Sequence, residues 1–499
     1  MYAFSGDENM RVMLVNPKPA GYTRARCAPL GVLSIASYLE ANGHEVKVLN
    51  RAIKSTDINV ELDEFKPDYI GCSLLTNLLV KDCIEVSQAA KKRGVTVVWG
   101  GPYISAIPEI VLQLDCIDLL SLGEGEETWL ELLDTAEKGG DIYSIKGLAY
   151  MKDGRFVKTP EREFIDLSKL VPINYDLIDT RVTLYKNYDY DGIMGMYLSK
   201  GCTGRCTFCY NHNFQKSCRR SRPIEHFIQE AKYVKEKFGA KAIAMADELF
   251  GCDKETLREF CDAMNEANLG LHWCAMTKIG IFDREDFRMM YDAGCRWLEF
   301  GVESGAQSTL ARMKKGMKLS RVEEDLQICR EIGIITLCYF IVGFPDETEE
   351  ELLETCRLIN KIDYSRFVCS YFSPLPGSEI FDKLVAEGRH TPPKTMKESM
   401  KTKILYSPKP NLSKVRTLEL KVVRSHMLWR SFTKKKFDKN GKDNYATAKK
   451  DIYDVLKSLK GHGFKAGVEQ FFISGYEFLD IFFYANFFPS ILKKYELKK

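Results

Sequence analysis

Three cysteines stand close together in Cys202-Thr-Gly-Arg-Cys206-Thr-Phe-Cys209, a C-x3-C-x2-C spacing directly after a short apolar run. Three thiolates on one loop can hold three irons of a cubane iron–sulfur cluster and leave the fourth without a protein ligand. Four cysteines would close the cluster for electron transfer. Three keep one coordination position for a substrate or cofactor. A zinc site of these cysteines with His212 is the competing metal reading, although structural zinc more often has a second ligand pair downstream. Three unrelated core cysteines would sit poorly on a polar loop that contains glycine. Phe208, just ahead of the third cysteine, either packs or covers the flat face of a ring.

Carboxylates follow at the ends of later apolar runs: Asp247 and Glu248 after 242–245, and Glu303 with Ser304 after 297–300. Each has two readings. Asp247 and Glu248 bind polar groups of a ligand or cap the helix that follows. Glu303 binds a ligand or sits in an ordinary ion pair. The remaining cysteines are scattered through apolar runs, Cys72, Cys83, Cys116, Cys274, Cys338 and Cys369 among them. They read as small buried hydrophobes in a reducing compartment.

The elements that must position these groups come in two series. In the first, Arg11–Asn16, 46–49, 69–74, 95–99 and 117–122 are short β-rich runs, with helical spacing at 30–42, 80–93 and 126–137. Strands alternating with helices imply a parallel, doubly wound (Rossmann-like) α/β sheet, whose ligands sit at the carboxyl ends of the strands. Those ends carry Gly71-Cys72-Ser73, Gly100-Gly101-Pro102 and Gly123-Glu124-Gly125-Glu126, where glycine lets a bulky ligand approach the backbone. Residues 151–190 read as a linker with one hairpin. The second series has strands at 194–199, 242–245, 272–276, 297–300, 336–342 and 366–371, with helices between them. It predicts a partial (β/α)6 barrel whose active site lies at the strand ends. The organisation expected is therefore 10–150, a linker over 151–190, a barrel over 191–400, and a helical, basic and aromatic region over 401–499.

Ser199-Lys200-Gly201-Cys202 through Tyr210 resembles the radical S-adenosylmethionine (radical SAM) signature, in which an aromatic residue precedes the last cysteine. Asp247-Glu248-Leu249-Phe250, Gly301-Val302-Glu303-Ser304-Gly305, Gly343-Phe344-Pro345-Asp346-Glu347-Thr348 and Pro374-Leu375-Pro376-Gly377-Ser378 resemble the family's later turns, in order, over roughly 190–385. The resemblance implies a [4Fe–4S] cluster on Cys202, Cys206 and Cys209. S-adenosylmethionine would be chelated at the open iron and contacted by Phe208, Asp247, Glu248, Glu303 and Ser304. Its one-electron cleavage would yield a 5′-deoxyadenosyl radical.

The first series resembles the cobalamin (B12)-binding domain that precedes the barrel in one radical SAM class. Pro29-Leu30-Gly31 and the three glycine-bearing turns carry the likeness. It implies cobalamin contacts from Leu30, Ser73, Gly100, Gly101, Glu124, Gly125 and Glu126. Two departures stand out. The cobalt-ligating D-x-H-x-x-G motif is absent, with Asn16-Pro17-Lys18-Pro19 in its place, and Tyr103 stands where a histidine usually follows Gly-Gly-Pro. A scaffold that binds nothing is the alternative. His44 reads as solvent-facing.

This architecture implies radical methylation of an unactivated carbon in a small or lipid-like substrate, or cyclisation as in anaerobic magnesium-protoporphyrin monomethyl ester cyclases. It would draw electrons from a low-potential donor such as flavodoxin or ferredoxin. A methylthiotransferase would need further cluster cysteines, and a non-catalytic cobalamin or redox sensor would not need turns of the S-adenosylmethionine site throughout the barrel. A net charge of +3 gives no nucleic-acid signature. The polar 1–10 stretch and the lack of a long apolar run point to a cytoplasmic enzyme. The lysines and aromatics of 471–492 form either a cap on the barrel or a membrane-surface contact.

Overall fold

The computed structural model describes residues 9–19, 28–54, 56–179, 185–187, 190–401, 412–433, 436–437, 443–444 and 488–496. Within them the fold is α/β, built on two seven-stranded sheets. The first sheet takes β1 (Arg11–Asn16), β2 (Glu45–Asn50), β3 (Tyr69–Ser73), β4 (Thr96–Gly100), β5 (Leu119–Ser121), β6 (Leu148–Lys152) and β7 (Arg155–Lys158). Their order is β2-β1-β3-β4-β5-β6-β7, parallel through β5. The β6–β7 hairpin adds antiparallel at one edge.

Strand β1 shows why this sheet is wound on both sides. Val12 and Leu14 pack into one core with Trp129 of the helix Glu126–Glu137. Met13 and Val15 pack into another with Val86 of the helix Val80–Lys91. A strand buried on both faces reads as a continuous apolar run, as RVMLVN does.

The second sheet takes β8 (Tyr185–Asn187), β9 (Tyr190–Met196), β12 (Ala242–Met245), β13 (His272–Thr277), β14 (Cys295–Glu303), β15 (Ile335–Val342) and β16 (Arg366–Tyr371). Between β9 and β12, β10 (Ser199–Lys200) and β11 (Arg220–Ser221) form a separate antiparallel ribbon. The order β16-β15-β14-β13-β12-β9-β8 is open at both edges and parallel from β9 to β16, a partial barrel. The strand expected at 194–199 thus ends at Met196, and Ser199-Lys200 leaves the sheet for the ribbon. Phe300, Cys338, Phe340, Phe367 and Cys369 are buried in the large core shared with the helices. A second, small apolar cluster gathers Ile193, Ala242, Cys274 and Trp297, in which Ile193 pairs with Ala242 and Cys274 with Trp297.

Segments after the barrel tie the chain together. In the helix Met396–Lys401, Met396 enters the core of the first sheet, and Ser399 bonds Tyr103 through its hydroxyl and Asn77 through its carbonyl. The helix Thr417–Thr433 packs on β16, and Tyr495 at the end of the helix Pro489–Lys494 donates to Glu419 at 2.7 Å. The run 471–487 and Lys434, Lys435, Lys449 and Lys450 lie outside the described residues. Among the described residues no helix is long and apolar enough to cross a membrane.

Turn chemistry explains the motif after β15. Gly343 (φ 78°) donates its amide to Glu347 at 2.7 Å, and Thr348 and Glu351 form a capping box on the helix Glu349–Lys361. Burial pushes Glu347 up to about 8, against the pull of the Gly343 amide, and its other oxygen has no partner among the described residues. The folded chain therefore holds a proton that the unfolded chain releases near pH 4.3, and stability falls as pH rises from about 4.3 to about 8. Glu347→Gln removes that dependence. Its gain in stability over the native chain should be larger at pH 8.5 than at pH 6 by about 2.5 kcal/mol. Thermal unfolding at the two pH values measures it, and a gain independent of pH would refute the assignment.

Candidate functional site

A cavity of about 570 Å³ opens where the carboxyl ends of β1, β3, β4 and β5 face β9, β10 and β12 of the second sheet. All seven residues expected to touch cobalamin line it: Leu30, Ser73, Gly100, Gly101, Glu124, Gly125 and Glu126. Glu248 joins them from the barrel, as do Tyr197 and, from the signature segment, Ser199, Lys200 and Tyr210, none of which was expected in this cavity. The size lies within the range of pockets that bury a cofactor.

Glycine does more than one job here. Side chains at Gly31 and Gly123 would meet nothing within 4 Å, so these two positions leave room for a large flat ligand. Gly71, Gly101 and Gly125 instead make room for the protein itself. A Cβ would strike Leu14 and Trp129 at Gly71, the Leu74 backbone at Gly101, and Ile35 at Gly125. The glycines and apolar side chains of this lining suit one face of a corrinoid. Among the described residues no histidine lines it: His44 is buried with its Nε2 3.3 Å from Asp134, not solvent-facing as expected, and Tyr103 is held by Ser399.

The acidic turn after β5 is engaged by the barrel. Glu126 is buried and accepts Ser34 Oγ at 2.6 Å and Lys200 Nζ at 2.7 Å. Glu124 accepts Arg220 through both oxygens at 2.6 and 3.0 Å. Burial disfavours charge on both members of the Glu126–Lys200 pair. Mutual attraction outweighs it, lowering the carboxyl pKa and raising that of the ammonium.

The cysteine loop leaves β10 beside this junction. Cys202, Cys206 and Cys209 are partly exposed, unlike buried Cys72, Cys83 and Cys261. Gly204 donates its amide to Cys202 Sγ at 3.3 Å, and its Cα faces the sulfurs of both Cys202 and Cys206. Thr207 pins the loop, donating its amide to Met313 and accepting from Ile380, both at 2.9 Å. Burial raises Cys206 and pushes Cys209 up to about 11, while Lys315 and Lys278 favour the Cys206 thiolate. Among the described residues no group of three His, Cys, Asp or Glu side chains is gathered around one metal ion. A cubane asks for something wider, one thiolate on each of three irons, and this donor set suits it.

The structure separates the other expected contacts. Asp247 is buried and accepts the amides of Leu198 at 2.9 Å and Ser199 at 2.8 Å together with the Ser199 hydroxyl. Burial pushes it up to about 6, so it serves the backbone and lies outside the cavity. It does not cap the following helix either, a task taken by Asp253. Ser304 is fully buried and bonds Thr355 and the Ala306 amide, which supports the turn. Glu303 ends β14 in the left-handed region (φ 68°) with Lys315 Nζ 2.7 Å away. A non-glycine residue there marks a constrained position. Phe208 is half-buried against the main core.

Comparison with known proteins agrees with this geometry. The Radical SAM superfamily matches residues 196–359 and the B12 binding domain matches residues 21–133. An uncharacterized methyltransferase of Pyrococcus horikoshii is 30% identical over 370 residues, 72% of this chain and 78% of the relative. The anaerobic magnesium-protoporphyrin IX monomethyl ester cyclase of Rubrivivax gelatinosus is 24% identical over 75% of this chain and 70% of its own length. The radical S-adenosylmethionine methyltransferase TsrM from Kitasatospora setae, solved with cobalamin and a [4Fe–4S] cluster, shares the fold. It aligns with a TM-score of 0.66 and 19% identity over 77% of this chain and 76% of that one. The chain accordingly belongs to the radical SAM superfamily, in the branch that carries a B12-binding domain, and its cofactors are a [4Fe–4S] cluster, S-adenosylmethionine and cobalamin.

Proposed function

We propose that this protein is a cobalamin-dependent radical SAM methyltransferase acting on an unactivated carbon of a small, largely apolar or lipid-like substrate. One observation carries the reading. The cavity at the strand ends of the first sheet is walled on its far side by Ser199 and Lys200, and Cys202 follows only two residues later. Carbon-centred radicals are quenched by loose solvent, so the two chemistries must share one enclosed space.

When bound, the cluster with S-adenosylmethionine supplies one-electron reductive cleavage of a C–S bond, and cobalamin supplies a transferable methyl group. The chain's own residues do the rest. Cys202, Cys206 and Cys209 hold three irons. Lys315 and Lys278 offset negative charge at the loop. Glu303, fixed by Lys315 at the end of β14, would hold polar groups of S-adenosylmethionine. Leu14, Ile35 and Trp129 make the corrinoid side of the cavity apolar and dry.

The substrate class is supported by the inner face of the barrel. Met276 and Val368 are 40% and 39% exposed, in register with Glu299 and Tyr339 respectively. Tyr339 and Trp297 both donate to the Glu299 carboxylate. An apolar body with one hydrogen-bonding group fits such a surface. Electrons would come from a low-potential donor of the flavodoxin or ferredoxin type.

Anaerobic reconstitution with iron, sulfide and hydroxocobalamin tests the reading, followed by turnover of S-adenosylmethionine carrying a deuterated methyl group. Formation of both 5′-deoxyadenosine and S-adenosylhomocysteine, with label carried onto the product, is expected. Cleavage to 5′-deoxyadenosine alone would refute methyl transfer and point to cyclisation or rearrangement. Cys202→Ala should lose the cluster absorbance and all 5′-deoxyadenosine while still taking up corrinoid. Ser73→Trp puts an indole into the cavity, and should weaken hydroxocobalamin binding by about tenfold or more, equal to about 1.4 kcal/mol, with iron content unchanged. Undiminished corrinoid affinity in that variant would place the corrinoid elsewhere.

A further inference from the structure

The carboxylates of the acidic turn after β5 point at two cations that stand opposite each other. Lys200 and Arg220 are register partners in the ribbon of β10 and β11. Glu126 takes Lys200 at 2.7 Å, and Glu124 takes Arg220 through both oxygens while also lying 3.9 Å from Lys200. The turn is itself fixed on its own side, Glu126 by Ser34 Oγ of the helix Leu30–Ala41 at 2.6 Å and Glu124 by the Ile165 amide at 3.2 Å. Glu124, Glu126 and Lys200 all line the cavity.

The same ribbon launches the cysteine loop. Lys200 is followed by Gly201, whose amide donates to Glu248 at 2.8 Å and whose Cα lies against the Cys218 carbonyl. No side chain fits there, so Gly201 has little freedom and passes the position of Lys200 directly to Cys202. Buried ion pairs add little to stability compared with apolar packing, yet they are directional and hold a register. A turn that lines one site and grips the root of the other will feel changes at both.

We infer that the Glu126–Lys200 and Glu124–Arg220 pairs couple the cavity to the cysteine loop, with Lys200 and Arg220 as positioning residues that make occupancy of each site sensitive to the other. The inference rests on the proposed reading of the cavity as the corrinoid site and the loop as the cluster site. Coupling between two sites is reciprocal and is measured as a ratio of affinities.

Hydroxocobalamin affinity is therefore measured on the full chain with and without reconstituted cluster, followed by absorbance, with no turnover required. In the native chain the two affinities should differ by about fivefold or more. In the double variant Lys200→Met/Glu126→Gln, which leaves neither buried charge without its counterpart and keeps the Glu124–Arg220 pair, both groups should still bind but the ratio should fall toward one. Lys200→Arg, which keeps the cation, should retain it. A merely structural role would shift both affinities together and leave the ratio intact, and that result would overturn the inference. So would a ratio of one in the native chain. Failure of the native chain to take up corrinoid at all would instead overturn the reading of the cavity, and the coupling with it.

Discussion

Removing the Glu126 carboxylate from water carries a cost that only a partner can offset, and the main partner comes from outside its own sheet. Lys200 lies in the ribbon that precedes the cysteines, so meeting this requirement seats the carboxyl edge of the first sheet against the opening of the barrel. The cavity exists because of that seating. Parallel strands leave their ligand-binding ends on one edge, and here two such edges face each other across a space lined by both.

The family's turns serve the backbone as much as the ligands. Gly305 admits the helix Glu349–Lys361, since a Cβ would come within 2.5 Å of the Thr355 Cα. Gly301 leaves room for the Glu303–Lys315 pair. Asp247 spends both oxygens on the segment leading into the cysteine loop. A motif position that binds no cofactor can still decide where the cofactor sits, because thiolates on a loop are only as well placed as the backbone beneath them.

The tail is built on the same economy. Glu419 is buried under Tyr495 and Lys494, and Arg357 of a barrel helix pairs with Glu496. The described end of the chain is thus bound to the barrel through Glu349 and Arg357 and to the helix Thr417–Thr433 through Glu419, and Met396–Lys401 reaches back to the first sheet. Both sheets are joined on the cavity side by ion pairs and again by this later segment.

What the sequence determined alone was whatever depends on neighbours along the chain. The cysteine spacing, the alternation of strand and helix, the glycines at strand ends and the capping box at Thr348 are all set within a few residues, and all are legible without coordinates. Seven residues read as cobalamin contacts do line one cavity, because strand ends in a parallel sheet must share an edge. Tertiary structure decided how the charged groups are spent. Glu126 meets Lys200 across 74 positions and Glu124 meets Arg220 across 96. His44 is buried where its helix–strand junction promised exposure, and Asp247 and Ser304 are drawn into the backbone. Nothing local distinguishes a carboxylate that will face a ligand from one that will face a lysine. That choice follows from how two sheets pack, and packing is a property of the whole chain.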